Sequence, residues 1–258
     1  MTRLTQHRFG DTIMATQFSV IVEAPENEAG RVRAVAEEVF FEIRRLESFL
    51  SRFPEDSEIS QINRLGNGES VIVSQETYRC LELALEARRM TGGYFDVAYL
   101  SEGVTHGQEA FALLSRPSRV KSLAEALRLD LGGIGKGFAL EQVRDIPVRY
   151  GYQHVLLCAD ASTILALEPP RGANGWPVQL ELDGRTETLE LAREAVSCSG
   201  KTVRGEHIFD TRQREYTTVR NRVYVRMPSP ALADALSTAA MTMPGDSLFR
   251  KSFLIKEW

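Results

Sequence analysis

Four glycines fall between residues 132 and 137, in the run Asp130-Leu-Gly-Gly-Ile-Gly-Lys-Gly137, just ahead of a helical pattern. Glycine has no Cβ, so a ligand can come close to the main chain at such a turn. The first N–H groups of the following helix lack internal partners and attract anions, and Lys136 adds a full positive charge. The run therefore predicts a phosphate-binding turn. A tight connection between a strand and a helix, with Lys136 in solvent, is the alternative.

Two familiar phosphate-binding motifs do not fit this run. The dinucleotide fingerprint Gly-x-Gly-x-x-Gly fails because Phe138 stands where the third glycine belongs. The P-loop fails because Asp130 occupies its first glycine position and Gly137 the position of its hydroxyl residue. Any phosphate bound here is bound by a different motif.

Asp234 lies in the stretch Ala231-Leu-Ala-Asp-Ala-Leu236, whose other residues are apolar. A buried carboxylate requires a cation or hydrogen-bonding partners, and Thr238, four residues later, projects from the same helical face. A carboxylate and a hydroxyl are the hard oxygen donors that Mg²⁺ prefers. The pair thus predicts a Mg²⁺ site. In the alternative, Asp234 lies on a narrow exposed stripe and Thr238 bonds back to a helix carbonyl.

Two further segments contain polar residues that are candidates for a functional site. Each of them can also be explained by a purely structural role. His207-Ile-Phe-Asp210 ends a predicted strand before an arginine-rich turn, but single histidines are more often structural than catalytic. Thr91-Gly-Gly-Tyr-Phe-Asp96 places an acid beside an aromatic residue after two glycines. Taken alone, that segment fits a helix C-cap followed by a surface loop.

The elements that position these residues follow from the apolar periodicity. Helices are predicted over residues 29–50, 75–90, 136–150 and 230–243, with Pro147 kinking or ending the third. Ser122 and Glu125 predict one short capped helical turn. Strands are predicted at 13–22, 71–73, 127–131, 154–158, 163–167, 176–182, 186–191, 195–198, 206–209, 217–225 and 248–255. This pattern predicts an α+β fold with mixed or largely antiparallel sheets backed by the helices.

Composition restricts the functional class. The chain has 258 residues, 43% of them hydrophobic and 26% charged, as in ordinary soluble proteins. A net charge of −4 argues against a nucleic-acid surface. The first ten residues show no signal-peptide pattern, and no apolar run approaches membrane-spanning length. The three cysteines are far apart and odd in number, which predicts reduced thiols and a cytoplasmic protein.

Six stretches, in the same order along the chain, resemble motifs of the ApbE family, the FAD:protein FMN transferases. They are Met14-Ala-Thr16, Leu50-Ser-Arg-Phe53 with Ser57-Glu-Ile-Ser-Gln-Ile-Asn63, Gly92-Gly-Tyr-Phe-Asp96, Asp130-Leu-Gly-Gly-Ile-Gly-Lys-Gly-Phe-Ala139, His207-Ile-Phe-Asp210 and Ala233-Asp-Ala-Leu-Ser-Thr238. The resemblance spans almost the whole chain. It implies one ApbE-like flavin transferase domain over residues 1–258, with the active site between its two halves.

The resemblance also implies roles for individual residues. Asp234 and Thr238 would bind Mg²⁺ together with the backbone carbonyl of Gly133. FAD contacts would come from Met14, Tyr94, Phe95, Asp96, Asp130, Lys136 and His207. Among these, Lys136 and His207 would be catalytic together with Asp234.

The implied reaction is Mg²⁺-dependent transfer of FMN from FAD to a Ser or Thr hydroxyl of an acceptor protein, with release of AMP. Two segments depart from the family: Leu157-Cys-Ala-Asp-Ala-Ser162 lacks a glycine pair, and Thr211-Arg-Gln-Arg214 lacks Pro-x-Thr-Gly. The alternatives are a non-catalytic paralogue that holds FAD and an FAD diphosphatase that yields FMN and AMP. FAD and an unidentified acceptor protein are the expected partners, without nucleic acid or membrane.

Overall fold

A seven-stranded sheet forms the centre of the fold. The computed structural model describes residues 3–105, 107–182, 185–200, 209–211, 215–216, 221–243 and 254–257. The strand order is β1-β2-β6-β7-β10-β13-β14, and all neighbouring strands are antiparallel. These strands are β1 (Leu4–Ile13), β2 (Thr16–Pro25), β6 (Val155–Ala159), β7 (Thr163–Ala166), β10 (Glu194–Gly200), β13 (Arg222–Met227) and β14 (Leu254–Glu257).

The remaining elements are six helices and three small antiparallel sheets within the described residues. The helices are α1 (Ala29–Leu50), α2 (Glu58–Ile62), α3 (Gln75–Met90), α4 (Gly135–Val143), α5 (Asp145–Arg149) and α6 (Pro230–Ala240), with a 3-10 turn at Glu26–Glu28. The small sheets are β3 (Ser70–Ile72), β5 (Ser118–Ser122) and β4 (Phe111–Ser115) in that order, β8 (Trp176–Leu182) with β9 (Arg185–Leu191), and β11 (Phe209–Asp210) with β12 (Glu215–Tyr216). The fold is therefore α+β, as the sequence pattern predicts.

Both faces of the seven-stranded sheet are covered, because alternate residues of its inner strands are buried in different cores. Val20 and Val22 of β2 belong to the main core, whereas Ile21 belongs to a second core. Helices cover the first face: α1 buries residues at helical spacing, and α4 and α6 pack beside it. The β8–β9 hairpin covers the second face and buries Trp176, whose indole N–H donates to Glu168 O at 3.0 Å. No helix among the described residues has the length and apolar character needed to cross a membrane.

Residues 13–22, predicted as one strand, instead contain the end of β1, a two-residue turn and the first part of β2. β1 and β2 pair from Leu4 with Pro25 to Ile13 with Thr16, and Met14 and Ala15 form the two-residue loop between them. The sequence analysis missed β1 because it is an edge strand that leaves most of its residues exposed or half-buried. The alternation of apolar and polar residues along β1 is therefore weak, and its many polar residues resemble those of a loop.

The strand predicted at residues 127–131 is absent, although the segment precedes the glycine run as expected. Its backbone polar groups bond to side chains and to one neighbouring loop instead of a strand. The Asn63 amide accepts from Leu129 N at 2.6 Å and donates to Leu129 O at 3.0 Å. Arg128 N donates to Ser101 Oγ at 3.0 Å, and Asp130 N donates to Val97 O at 2.8 Å. The capped helical turn predicted at 122–125 is also wrong, because Ser122 is the last residue of β5.

Two helix predictions are confirmed and one is divided. The structure has α1 and α3 at the predicted residues 29–50 and 75–90. The helix predicted at 136–150 breaks at Arg144 into α4 and α5. Pro147 is the third residue of α5, where its missing N–H has no intrahelical partner to lose. The predicted strand at 206–209 lies largely outside the described residues, as does part of each of those at 217–225 and 248–255.

Candidate active site

Helices α4 and α6 cross so closely that a glycine is required between them. A Cβ built on Gly137 would lie 2.1 Å from Pro230 O and 2.9 Å from Ala231 Cα. Both of these are backbone atoms, so no side-chain movement would relieve the clash. The close approach lets the Gly137 N–H, in the first turn of α4, donate to Asp234 Oδ2 on α6 at 3.1 Å. The glycine run and the apolar helix thus meet, although 97 residues separate these two positions.

Asp234 is a buried carboxylate with a hydrogen bond or a charge near each oxygen. Only 3% of the residue is exposed, so it does not lie on a solvent-facing stripe. Lys136 Nζ lies 3.6 Å from Oδ2, and Ser197 Oγ on β10 lies 3.4 Å from Oδ1. A charge in this setting requires such partners, since its transfer from water is costly. The buried interpretation of Asp234 is confirmed.

Thr238 and Gly133, two of the residues to which the resemblance assigns metal binding, lie close to each other, and that role stays a prediction. An ideal Cβ on Gly133 would lie 3.1 Å from Thr238 Oγ1. Thr238 Oγ1 donates to the backbone carbonyl of Asp234 at 3.1 Å, which is the bond that the structural alternative predicts. It also lies 3.4 Å from Ser199 Oγ on β10. The hydroxyl is therefore on the inner face of α6 with its oxygen close to the glycine run.

Asp130 and Lys136 shape the glycine turn from its two ends. Asp130 Oδ1 accepts from Gly132 N at 2.9 Å, and its Oδ2 lies 3.4 Å from both Arg52 Nε and Tyr99 Oη. Lys136 Nζ donates to Gly132 O at 3.4 Å while it faces Asp234. Lys136 is therefore bound within the turn and is not a solvated surface lysine.

A cavity of about 360 Å³ opens beside Asp130. Three arginines, Arg52, Arg64 and Arg128, contribute to its wall together with the aromatic ring of Phe53. Guanidinium groups pair well with phosphate oxygens. Glu55 and Asp130 also line the cavity, so its wall carries charges of both signs, and Asp130 connects it to the glycine turn.

Residues 94–96 lie close to the glycine run, but they differ in what they contact. Phe95 is buried, and its Cε2 would lie 3.1 Å from a Cβ on Gly133. Tyr94 is half-buried and packs against the main core. Asp96 accepts from Arg88 Nε and from Ala98 N, each at 2.8 Å, so its carboxylate also orders the loop after α3. Its role in contacting FAD stays a prediction.

Two hairpin turns lie at the same end of the sheet as Asp234. Met14 is in the β1–β2 turn, and Asp160 N, in the β6–β7 turn, donates to Gln17 O at 2.7 Å. Ser162 O accepts from Ser197 Oγ at 2.9 Å, and that same hydroxyl lies near Asp234. In the segment that departs from the family, Ala159 is fully buried in β6, whereas Asp160 is exposed at a φ of 52°.

Several residues that build this region have no functional signal of their own in the sequence. Asn63 supports the segment before the glycine run, Glu47 bonds the Met14 turn, and Ser197 and Ser199 surround the α6 side chains. Asn63 belongs to a motif of the resemblance, which is the one available hint. The serines sit in a short alternating strand and are indistinguishable from surface residues. His207, together with Arg212 and Arg214, lies outside the described residues.

The structure thus defines the class of protein: an α+β protein in which a glycine turn at a helix N-terminus lies opposite a buried carboxylate. The sequence pattern that defines the ApbE family matches residues 14–251. The chain belongs to the ApbE family.

Known relatives agree with this assignment. A curated protein of Treponema pallidum (strain Nichols), named FAD:protein FMN transferase, is 25% identical over 168 residues. The alignment covers 55% of this chain and 46% of the relative, so the chain spans about half the length of the curated relative it matches.

Solved structures show the shared fold. The flavin transferase ApbE of Vibrio cholerae is 21% identical with a TM-score of 0.79, over 93% of this chain and 87% of that one. The apo flavinyl transferase ApbE of Pseudomonas stutzeri is 22% identical with a TM-score of 0.79, over 92% and 84%. The ApbE protein of Thermotoga maritima is also 22% identical with a TM-score of 0.79, over 96% and 89%.

Proposed function

We propose that this protein transfers FMN from FAD to a Ser or Thr hydroxyl of an acceptor protein and releases AMP, in a Mg²⁺-dependent reaction. The observation that carries the proposal is the buried Asp234 carboxylate facing Lys136 and the first turn of α4. Family membership and the name of the Treponema pallidum relative support the same reaction. We further propose that residues 1–258 form one functional unit and that the protein is cytoplasmic.

The donor atoms around Asp234 fit a hard divalent cation. The candidate ligands are the Asp234 carboxylate, the Thr238 hydroxyl and the Gly133 carbonyl, all of them oxygens, which Mg²⁺ prefers. The described residues contain no group of three His, Cys, Asp or Glu side chains that could hold a metal ion, so a cation here would depend on hydroxyl and carbonyl oxygens beside one carboxylate. When bound, Mg²⁺ would neutralise phosphate charge and keep open coordination positions for phosphate oxygens.

The chain's own residues would bind and orient the diphosphate. The positive end of the α4 helix dipole and the Lys136 ammonium supply positive charge at the glycine turn. Gly135 leaves the main chain accessible, since nothing lies within 4 Å of a Cβ built on it. We assign FAD contacts also to Met14, Tyr94, Phe95, Asp96, Asp130 and His207. The catalytic residues would be Lys136, His207 and Asp234.

The proposed reaction is a displacement at phosphorus. The acceptor hydroxyl oxygen forms a bond to the FMN phosphorus of FAD, and the hydroxyl proton is released. The bond from that phosphorus to the bridging oxygen breaks, and AMP leaves with that oxygen. Such chemistry depends mainly on positioning and on charge stabilisation, and it requires no nucleophile from the enzyme. Attack by water at the same phosphorus would give FMN and AMP.

One assay tests the proposal against both alternatives. The protein is incubated with FAD, Mg²⁺ and a candidate acceptor, and both AMP and protein-bound flavin are measured. We expect AMP together with flavin covalently bound to the acceptor. AMP alone would indicate a diphosphatase, whereas retained FAD without AMP would indicate a binding protein. Omission of Mg²⁺ with added chelator is the matched control.

A further inference from the structure

The turn between β1 and β2 has an unusual backbone for its residues. Met14 and Ala15 have φ values of 52° and 53°, and they are the two loop residues of the hairpin. This is the geometry of a type I′ turn, which normally uses Asn, Asp or Gly because a Cβ disfavours the left-handed conformation. Neither residue is of that kind, so some other interaction must hold the turn in place.

Glu47 supplies that interaction from the last turns of α1. Its Oε1 accepts from the Met14 N–H at 2.9 Å. The N–H of the first residue in a two-residue hairpin loop has no partner in the strand ladder, so it is free to donate outward. The bond is charge-assisted and therefore stronger than a neutral one. Met14 also packs against the main core, which contains residues of both the sheet and α1.

The geometry points to Glu47 as a positioning residue that fixes the Met14 side chain at the edge of the flavin site. This inference rests on the proposed function, in which Met14 contacts FAD. A glycine at position 14 would adopt the turn without help, but it would present no side chain. The Glu47 bond therefore allows a methionine to occupy a left-handed position at the sheet end that also carries the β6–β7 turn and Ser197.

Four variants separate positioning from simple stabilisation: Glu47→Ala, Glu47→Gln, Glu47→Ala with Ala15→Gly, and the control Glu38→Ala. Glu38 is a carboxylate on the same helix, but it bonds Tyr150 and Arg149 far from the hairpin. FAD affinity is measured by fluorescence quenching and thermal stability by circular dichroism. We expect Glu47→Ala to weaken FAD binding about tenfold, because the Met14 N–H loses its partner.

Glu47→Gln should retain most of the affinity, because its amide oxygen still accepts the bond. Ala15→Gly should restore much of the affinity lost in Glu47→Ala, because glycine takes a positive φ without cost from a Cβ. Glu38→Ala should leave FAD affinity unchanged even if its melting temperature falls. FAD binding equal to the parent in Glu47→Ala, or an absence of rescue by Ala15→Gly, would overturn the inference while the proposed function stands. If the parent protein fails to bind FAD, the proposed function and this inference both fail.

Discussion

Among individual residues, Asp234 is the central carboxylate of the candidate site. Its carboxylate joins the α4 N-terminus, Lys136 and Ser197, yet the residue is only 3% exposed. The structural alternative for Thr238 is also present, since its hydroxyl bonds to Asp234 O. The two interpretations are compatible, because a back-bonded threonine oxygen retains lone pairs for a cation.

Asp234→Asn should abolish most of the Mg²⁺-dependent release of AMP while the fold is retained. The amide oxygen can still accept from Gly137 N, but the negative charge needed to hold a divalent cation is lost. We expect a fall in rate of about 10²–10³, the range for loss of one key electrostatic group. AMP release is measured at saturating FAD across a Mg²⁺ titration. Asp145→Asn, at an exposed position in the first turn of α5, is the control. A normal rate in Asp234→Asn at limiting Mg²⁺ would disprove the metal assignment.

At the scale of elements, the site depends on how closely α4 approaches α6. Gly137→Ala should lower the free energy of unfolding by about 1–3 kcal/mol, because the new methyl group must push one backbone from the other. Gly135→Ala is the matched control two residues away, where nothing lies within 4 Å of the new Cβ. It should be neutral or stabilising by up to about 1 kcal/mol. Urea unfolding of both variants measures this, and equal stabilities would contradict the close packing.

The extended segment before the glycine turn depends on Asn63. Asn63→Ala leaves the N–H and C=O of the buried Leu129 without their amide partner, which should cost about 1–3 kcal/mol. FAD affinity should also fall, since Leu129 adjoins Asp130 and the turn. Asn174→Ala, on the surface, should change neither quantity. The measurements are urea unfolding and FAD titration, and a loss of stability without weaker FAD binding would separate Asn63 from the site.

At the scale of the whole molecule, the two cores bury all three cysteines to a large degree. Burial raises the pKa of the Cys158 thiol to about 12 and that of Cys198 to about 11. Burial also raises the pKa of Cys80, with a smaller contribution from the charge of Glu141. All three are free thiols in the structure, and their protonated state makes them poor nucleophiles.

The thiols should therefore react slowly with a disulfide reagent at pH 8 in the folded protein and rapidly in urea. The pH dependence has a definite sign. Unfolded cysteines lose their protons near pH 8.5, whereas the buried ones retain them, so rising pH favours the unfolded state. The free energy of unfolding should decrease as pH rises above about 8.5. Rapid labelling of the native protein would contradict the burial.

Local spacing was enough to predict several parts of this protein. The four glycines before α4, the apolar face of α1 and the placement of Asp234 and Thr238 one turn apart all depend on neighbouring residues. Period and turn chemistry are local properties, so they can be interpreted without a structure. The same spacing also predicted a strand at 127–131 that does not form, because residues distant in sequence determine its hydrogen bonds.

The contacts that make a site were settled by tertiary structure alone. Gly137 and Asp234 are 97 residues apart, Asn63 and Leu129 are 66 apart, and Met14 and Glu47 are 33 apart. No local pattern encodes such pairings, because they follow from the strand order and from how tightly helices cross over the sheet. The left-handed turn at Met14 and Ala15 shows this most directly. Its residues disfavour that backbone on their own, and a carboxylate from another element supplies the bond that holds it.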